Sequence, residues 1–487
     1  MASDKKNRYT TGTPDREPFE EVLPKKYKFG FSMASMANGI LSGMGFSAIT
    51  FFYTDILKIR PDLAGLVWLI FGIWNAINDP LFGIIEDRTK SGLGRRVPYL
   101  RYGAPFYVLA FVLCWYPFTD NSNQIGLFFN MLFVLFALDT MFTMIGLITY
   151  ALPAEMTFTQ KARSNLITWS TLIGVIGIVV SNVLPIFMLT KTITNYELNF
   201  VVRPVMVSIG IACGAIIFAS SYYIKENRYA IVEESLGFKQ SLVETAKNKP
   251  FLIFEGAKFC IVIMTTTLVS SITYYVKYVL GLQGGILSMI PIIAVLLVAI
   301  VFVLIYNKLM AKYGAKKILL FGLVFGGIAF IITFFIGMEF ATALVGFCII
   351  GVTYSATLIS PGILFSDTVD NDELRTGKRR ETTYAGVEAL ITKPAVSIAN
   401  WLFLLIIGAY GYDPNATISV PGPFMLRVGI MIAICIVPAI FLFVAAAIIK
   451  FYPLDTPEWK ANKEKLKAIH EQKEREFIEK LRKEGKI

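Results

Sequence analysis

The sequence has few of the side chains with which enzymes and metal proteins do chemistry. It contains one histidine, His470, in a charged segment, and five cysteines that all fall in apolar segments without the spacing of a metal site or a disulfide framework. No P-loop, GxGxxG turn, HExxH pair or CxxC pair is present. These absences disfavour a histidine or cysteine site, an enzyme of the common cofactor classes and an ATP-driven pump.

Charge is also scarce. Only 17% of the residues are charged, against about 25% in ordinary globular proteins, while 55% are hydrophobic and the mean hydropathy is +0.60. Apolar segments of roughly 20 to 28 residues run between the charged clusters, and a bilayer core about 30 Å thick needs about 20 residues per helix. Because the short alternating strands of a barrel are not seen, the sequence predicts an all-α membrane protein.

Twelve apolar segments predict twelve transmembrane helices. The longest internal polar stretch divides them six and six, so we expect two six-helix bundles of the kind found in secondary transporters. The predicted helices are 29–53, 62–84, 100–119, 124–151, 164–190, 202–224, 251–279, 284–309, 316–337, 340–366, 382–410 and 424–451. The predicted domains are a cytoplasmic N-terminal tail 1–28, an N-terminal bundle 29–224, a cytoplasmic linker 225–250, a C-terminal bundle 251–452 and a charged cytoplasmic tail 453–487.

Lysine and arginine set the expected orientation. Alternate loops and both tails hold roughly 38 of the 46 basic residues, whereas the other loops hold about three, Lys58, Arg60 and Lys191. Basic loops stay in the cytoplasm, so we expect a multi-pass protein of the cell membrane with both termini cytoplasmic. The net charge of +11 then reflects orientation in the membrane, and no nucleic-acid partner is expected.

The two predicted halves resemble each other at one point. Residues 83–103 and 306–322 each join a helix end, a glycine turn and paired basic residues at the same place in their half. Internal repeats of this kind are typical of transporters. The alternative is that any tight cytoplasmic turn needs a glycine and basic residues.

The motif WNAINDP, residues 74–80, is the first candidate for a functional site. Asn75, Asn78 and Asp79 are spaced i, i+3 and i+4, so they share one helix face. Carboxylate and amide oxygens suit a hard cation, so we expect Na⁺ or H⁺ to bind here. The alternative is that Asp79 caps a turn before Pro80 and pairs with a loop arginine.

Lys393 is the second candidate, because a charged side chain deep in a membrane is costly and is by default functional. It lies among apolar residues and needs a partner, for which Asp79 from the other half and Glu388 are the candidates. A lysine–aspartate contact between bundles could be made in one state and replaced by cation or substrate in another. The alternative is a structural ion pair.

Further polar and aromatic side chains could line a cavity between the bundles. Asp139 in the fourth helix is a candidate for substrate or cation binding, whereas Glu255 and Lys258 in the seventh are expected to satisfy each other. The remaining candidates are Asn38, Tyr150, Asn400 and Trp401, for which packing or lipid contact is the alternative role.

Two loops combine acidic and basic residues at helix ends. Such clusters could form a cytoplasmic gate that holds the bundles together in an outward-open state, although single exposed pairs contribute only about 0–1 kcal/mol. The candidates are Asp87, Arg88, Arg95 and Arg96 in one loop and Asp367, Asp370, Arg379 and Arg380 in the other. The alternative is a solvated loop carrying orientation charges.

Three segments resemble the major facilitator superfamily and, within it, the glycoside–pentoside–hexuronide:cation symporter family. They are WNAINDPLFGIIEDRTKSGLGRRVPYL, NKPFLIFEGAKF with YYVKYVLG, and LFSDTVDNDELRTGKRRETTYAGVEALITKPAVSIANWLF. The resemblance covers about residues 27 to 452 and implies the major facilitator fold and sugar uptake driven by Na⁺, H⁺ or Li⁺.

The resemblance also implies roles for single positions. The family's cation-site acidic pair falls at Asn75 and Asp79, of which only Asp79 is acidic, and its eleventh-helix lysine falls at Lys393. Its sugar-binding positions have mostly changed. They fall near Gly146, Tyr150 and Thr171 and at Gly72, and for the first-helix acid Asn38 is the nearest polar residue. A single acid at the cation site is compatible with H⁺ coupling.

We therefore expect a monomeric, cation-coupled symporter of a sugar or related small solute that works by alternating access. No cofactor is expected beyond Na⁺ or H⁺ as the coupling ion, and the partners are the lipid bilayer and the solute. The alternatives are an uncoupled facilitator, a lysolipid or lipid-like solute transporter, and a membrane sensor of the same fold.

Overall fold

The computed structural model describes residues 9–10, 20–21, 23–89, 91–93, 96–157, 159–191, 193–224, 243–377, 380–415 and 418–483. This part of the chain is helical apart from its connections and one small antiparallel strand pair, β1 (Tyr9–Thr10) with β2 (Glu20–Glu21). Most of the predicted linker, residues 225–242, lies outside the described residues.

In the described part of the chain twelve long helices follow one another, six in each half. The first half contains α1 (Lys25–Phe51, continued by a π-helical turn at Phe52–Ile56), α2 (Pro61–Arg88), α3 (Val97–Leu113), α4 (Gln124–Met156), α5 (Gln160–Leu189) and α6 (Asn195–Ser220). The second contains α7 (Lys249–Tyr274, continued by a π-helical turn at Tyr275–Val279), α8 (Ile286–Tyr313), α9 (Ala315–Ile336), α10 (Phe340–Thr376), α11 (Glu381–Ala409) and α12 (Phe424–Ile449). A thirteenth helix, α13 (Pro457–Lys483), follows them.

The helices agree with the twelve predicted from hydropathy. Within the described ranges, ten of them are long and apolar enough to cross a membrane, and α1 and the shorter α3 complete the set. Three predicted ends differ by more than five residues: α6 begins at Asn195 instead of 202, and the ends of α10 and α3 also differ. Helix α10 continues beyond residue 366 to Thr376, because its polar continuation holds no glycine or proline until Gly377, which ends the helix with a φ of 71°. Helix α3 stops at Leu113 instead of 119, ahead of Pro117.

The helix array has two faces. Helix α1 begins and α12 ends on one of them, which we call the terminal face, and the other is the distal face. The halves contact each other through α1 with α7, α2 with α11, and α5 with both α7 and α8. These contacts place the boundary between the halves at the middle of the array.

Glycines allow α2 and α11 to approach closely. A Cβ atom at Gly65 would lie 3.1 Å from Cδ1 of Trp401, and one at Gly72 would lie 2.9 Å from Cβ of Ser397. Gly65 and Gly72 are seven residues apart and therefore face α11 together. A larger side chain at position 72 would meet α11 directly.

The C-terminal helix α13 lies against α10. Lys463 forms an ion pair with Asp367, and Nε2 of His470 lies 2.8 Å from Oε2 of Glu373. The apolar side of α13 buries Trp459 and Leu466, of which 6% and 3% are exposed. The charged tail is therefore an ordered helix attached to the second half.

Candidate functional site

A polar centre lies inside the contact between α2 and α11. Lys393 of α11 forms an ion pair with Asp79 of α2, which joins the two halves. Only 17% of the lysine side chain and 12% of the aspartate side chain are exposed. Of the two partners considered from the sequence, the lysine contacts Asp79 and not Glu388.

Thr143 of α4 lies at the junction of this centre. Its hydroxyl donates to Oδ1 of Asp79 at 2.8 Å, and it lies 3.3 Å from Nζ of Lys393. Nδ2 of Asn78 donates to the same hydroxyl oxygen at 3.0 Å. The sequence reasoning missed Thr143 because it is uncharged. The available signal was its position four residues after Asp139, on the same helix face.

Asp139 extends the network along α4. Nδ2 of Asn78 donates to its Oδ2 at 2.8 Å, and 1% of Asp139 is exposed. Asn75 lies on the same face of α2 as Asn78 and is 5% exposed. One side-chain oxygen on each of Asp139, Asn78 and Asn75 is buried without a hydrogen-bond partner among the described residues.

Glu388 belongs to a different contact. It forms an ion pair with Lys258 of α7, although Lys258 was expected to pair with Glu255 on its own helix. Glu255 is 1% exposed, and neither of its carboxylate oxygens has a hydrogen-bond partner among the described residues. The expected Glu255–Lys258 pair is thus replaced by a pair between α7 and α11, within the second half.

The other predicted cavity residues occupy separate places. Asn38 of α1 is buried, and its Nδ2 lies 3.6 Å from where a Cβ at Gly146 of α4 would be. Asn400 of α11 accepts a hydrogen bond from Thr50 of α1 at 3.5 Å, which crosses between the halves. Trp401 packs on α2 at Gly65, as described above, and the side chain of Tyr150 lies outside the described residues.

The sequence reasoning also missed a buried cluster at the distal face. Asp55, at the end of α1, accepts from Nζ of Lys277, at the end of α7, at 2.6 Å. Tyr278 and Tyr412 also donate to Asp55, and Thr54 shares a hydrogen bond of 2.6 Å with Tyr274. These contacts close the distal face between the halves.

Two of the predicted gate residues, Arg96 and Arg380, each contact an acidic residue of their own half. Arg96 contacts Glu86 at 3.0 Å, and Arg380 forms an ion pair with Asp372 at 2.6 Å. Arg88 is exposed, Asp370 is partly buried, and Asp367 contacts α13. Arg95, Arg379 and the side chain of Asp87 lie outside the described residues. A gate that joins the two halves stays a prediction.

Two helical halves, a polar centre between them and a closed distal face define a membrane transporter of the major facilitator fold. A family profile described as MFS/sugar transport protein matches residues 30–456, and the chain belongs to this family.

Curated relatives agree with this assignment. A glucuronide carrier protein homolog of Escherichia coli (strain K12) is 24% identical over 441 residues, which span 88% of this chain and 93% of the relative. An isoprimeverose transporter of Lactiplantibacillus pentosus is 24% identical over 408 residues, which span 81% and 82%. The expected resemblance to sugar symporters is confirmed.

Solved structures confirm the fold. The nucleoside transporter NupG superposes with a TM-score of 0.60 at 14% identity, over 87% of this chain and 99% of that one. The xylose transporter XylE from E. coli, in a partially occluded inward open conformation, gives a TM-score of 0.59 at 13% identity, over 88% and 98%. The predicted twelve-helix, two-half arrangement is therefore that of known transporters.

Proposed function

We propose that this transporter moves a sugar or a sugar-derived solute together with a cation, by alternating access between its two halves. The observation that carries the proposal is the ion pair between Lys393 and Asp79, because it joins the halves at the centre of the array beside Thr143. Asp79 is the cation-binding carboxylate, with Asn75 and Asn78 on the same face of α2.

Competition for Asp79 supplies the coupling. A buried ammonium without a partner is unfavourable by several kcal/mol, so Lys393 holds Asp79 when the cation is absent. A cation that binds Asp79 displaces the lysine, and the freed ammonium can then approach an oxygen-rich solute. The contact between the halves thus depends on whether cation and solute are bound.

The relatives support the substrate class. One is named a glucuronide carrier homolog and another an isoprimeverose transporter, and these names describe a sugar-acid derivative and a sugar. One sugar-binding position that the family resemblance implies falls at Gly72. Since Gly72 packs against Ser397 and has no room for a side chain, the sugar contacts of this chain differ at that position. The solute pathway lies between α1, α2 and α4 of one half and α7 and α11 of the other.

We also propose the inward-facing state and a cytoplasmic terminal face. The tails and loops of that face carry most of the basic residues, as cytoplasmic segments do. The distal face is closed by Asp55 and Lys277, so the solute would leave toward the cytoplasm. Both halves lie in one chain, so a single copy in the cell membrane suffices for transport, without catalysis or a cofactor.

Transport by purified protein in proteoliposomes tests the proposal. Radiolabelled sugars and sugar acids are presented with an inward Na⁺ gradient, an inward H⁺ gradient or no gradient. Accumulation above the external concentration in a gradient supports symport. Equilibration alone, whatever the gradient, contradicts coupling, and the absence of uptake of every sugar and sugar acid contradicts the substrate class.

A further inference from the structure

The network around Asp79 contains a second carboxylate that the proposed function does not use. Asp139 of α4 lies one helical turn before Thr143, and Asn78 donates to both of them. The side-chain amide of Asn78 and the hydroxyl of Thr143 therefore link Asp139 to Asp79. Neither α2 nor α4 alone provides this arrangement.

The position of Asp139 matches that of Asn75. Helices α2 and α4 run in the same direction, from the distal to the terminal face. Asn75 lies one turn before Asp79 on α2, and Asp139 lies one turn before Thr143 on α4. The carboxylate of Asp139 on α4 thus lies at the same depth in the membrane as the side-chain amide of Asn75 on α2.

Among the described residues, no basic side chain forms an ion pair with Asp139. Lys393 contacts Asp79 and Thr143, whereas the hydrogen bond that the described part of the chain gives Asp139 comes from Asn78. Its Oδ1 is buried without a hydrogen-bond partner among the described residues, and so is Oδ1 of Asn78. Buried oxygens of this kind are costly unless they are hydrogen-bonded or bind a cation.

We propose that Asp139 is the second anionic ligand of the cation site and that this site takes an alkali metal ion, Na⁺ or Li⁺. The inference rests on the proposed function, because it uses Asp79 as the first ligand. Asp79, Asp139, Asn78 and Thr143 supply carboxylate, amide and hydroxyl oxygens, which are the ligands that hard cations prefer. When the ion binds, Lys393 leaves Asp79, and the two carboxylates then face one positive charge.

Thermal unfolding of the purified full-length protein in detergent tests this inference. Each variant is titrated with NaCl or LiCl against choline chloride at constant ionic strength, and the Tm is followed. We expect Na⁺ or Li⁺ to raise the Tm of the wild type, because an ion that binds only the folded state stabilises it. In Asp139→Asn the apparent affinity should fall by about tenfold or more, since affinity depends on the number of charged ligands.

A double substitution separates a ligand from a structural role. In Asn75→Asp/Asp139→Asn the second carboxylate moves from α4 to α2 at the same depth, and we expect the response to Na⁺ or Li⁺ to return at least in part. If Asp139 only accepted the hydrogen bond of Asn78, the amide oxygen of an asparagine at 139 could accept the same bond, and Asp139→Asn would keep both its Tm in choline chloride and its ion response.

The outcomes also distinguish this inference from the proposed function. An unchanged ion response in Asp139→Asn, together with its loss in Asp79→Asn, overturns the role of Asp139 and leaves the cation site at Asp79 standing. No response of the wild type to Na⁺ or Li⁺ overturns the inference, while H⁺-driven uptake in proteoliposomes would still support symport. Loss of the response in Asp139→Asn with recovery in the double variant supports it.

Discussion

Lys277 and Asp55 form a buried ion pair between the two halves, with Nζ and Oδ2 2.6 Å apart and only 9% and 4% of the side chains exposed. Tyr278 and Tyr412 complete the hydrogen bonding of the carboxylate. The pair lies at the distal ends of α1 and α7, so it exists only while the distal face is closed. The strength of this ion pair therefore contributes to the equilibrium between a state that is open at the distal face and a state that is open at the terminal face.

Removing one partner of this pair should open the distal face. Loss of a single partner from a buried ion pair costs about 3–5 kcal/mol, because the other charge stays buried without compensation. We expect Lys277→Ala to increase labelling of a cysteine introduced near Tyr278 by an impermeant maleimide. The wild-type background is suitable, since four of the five native cysteines are buried.

Charge reversal provides the control for this prediction. Asp55→Lys alone places two ammonium groups together, whereas Asp55→Lys/Lys277→Asp restores opposite charges at the same contact. The double variant should be labelled less than either single variant. Equal labelling of all variants and the wild type would show that the pair does not hold the distal face closed.

Asp79→Asn should abolish accumulation driven by a cation gradient. The amide keeps the size of the side chain but removes the charge for which we propose that Lys393 and the cation compete. Exchange of labelled for unlabelled solute without a gradient should be less affected. Asp62→Asn is a matched control on α2, because Asp62 is exposed and pairs only with nearby Arg60 among the contacts described. Accumulation by Asp79→Asn at the wild-type level would exclude Asp79 as the coupling carboxylate.

Lys393 should be needed for coupling more than for folding. In Lys393→Ala the carboxylate of Asp79 keeps its hydrogen bond from Thr143, so the cation can bind without displacing a lysine. We expect tighter apparent cation binding in the Tm titration and a loss of gradient-driven uptake. Lys393→Arg keeps the charge with a larger head group and should retain partial uptake. Unchanged uptake by Lys393→Ala would make the lysine purely structural.

Gly72→Leu should disturb the contact between α2 and α11. A leucine side chain would overlap Ser397, and overpacking of a well-packed contact costs about 1–3 kcal/mol. We expect a lower Tm and slower transport, both relieved in part by Ser397→Gly in the same chain. Gly83→Leu is a control on the same helix, where a Cβ atom would meet nothing within 4 Å. A similar loss of Tm in both variants would argue against the packing explanation.

Much of the fold follows from local properties of the sequence. Runs of apolar residues predict the twelve helices. The predicted ends differ most where a helix extends beyond its apolar part, as α10 does to Thr376 and α6 does at its start at Asn195, or where it stops early, as α3 does at Leu113. The sequence predicts Asp79 or Glu388 as the partner of Lys393, because a buried lysine needs an acidic partner.

The rest of the site depends on relations between helices. Thr143 carries no charge and is one of many threonines in apolar segments, so only the packing of α4 beside α2 reveals its role. Asp55 and Lys277 are separated by 222 positions and lie at helix ends, where charged residues are ordinary. Nothing in the local sequence of either residue indicates that the other lies opposite.

The ion pair at the distal face also has a consequence for how the halves recognise each other. The first half supplies only the acid and the second half only the base. Two first halves brought together in the same way would set Asp55 against Asp55, and two second halves would set Lys277 against Lys277. Like charges in a buried contact are strongly unfavourable, so the pair makes association of unlike halves specific. The pair thereby disfavours association of two first halves, or of two second halves, from neighbouring copies in the membrane.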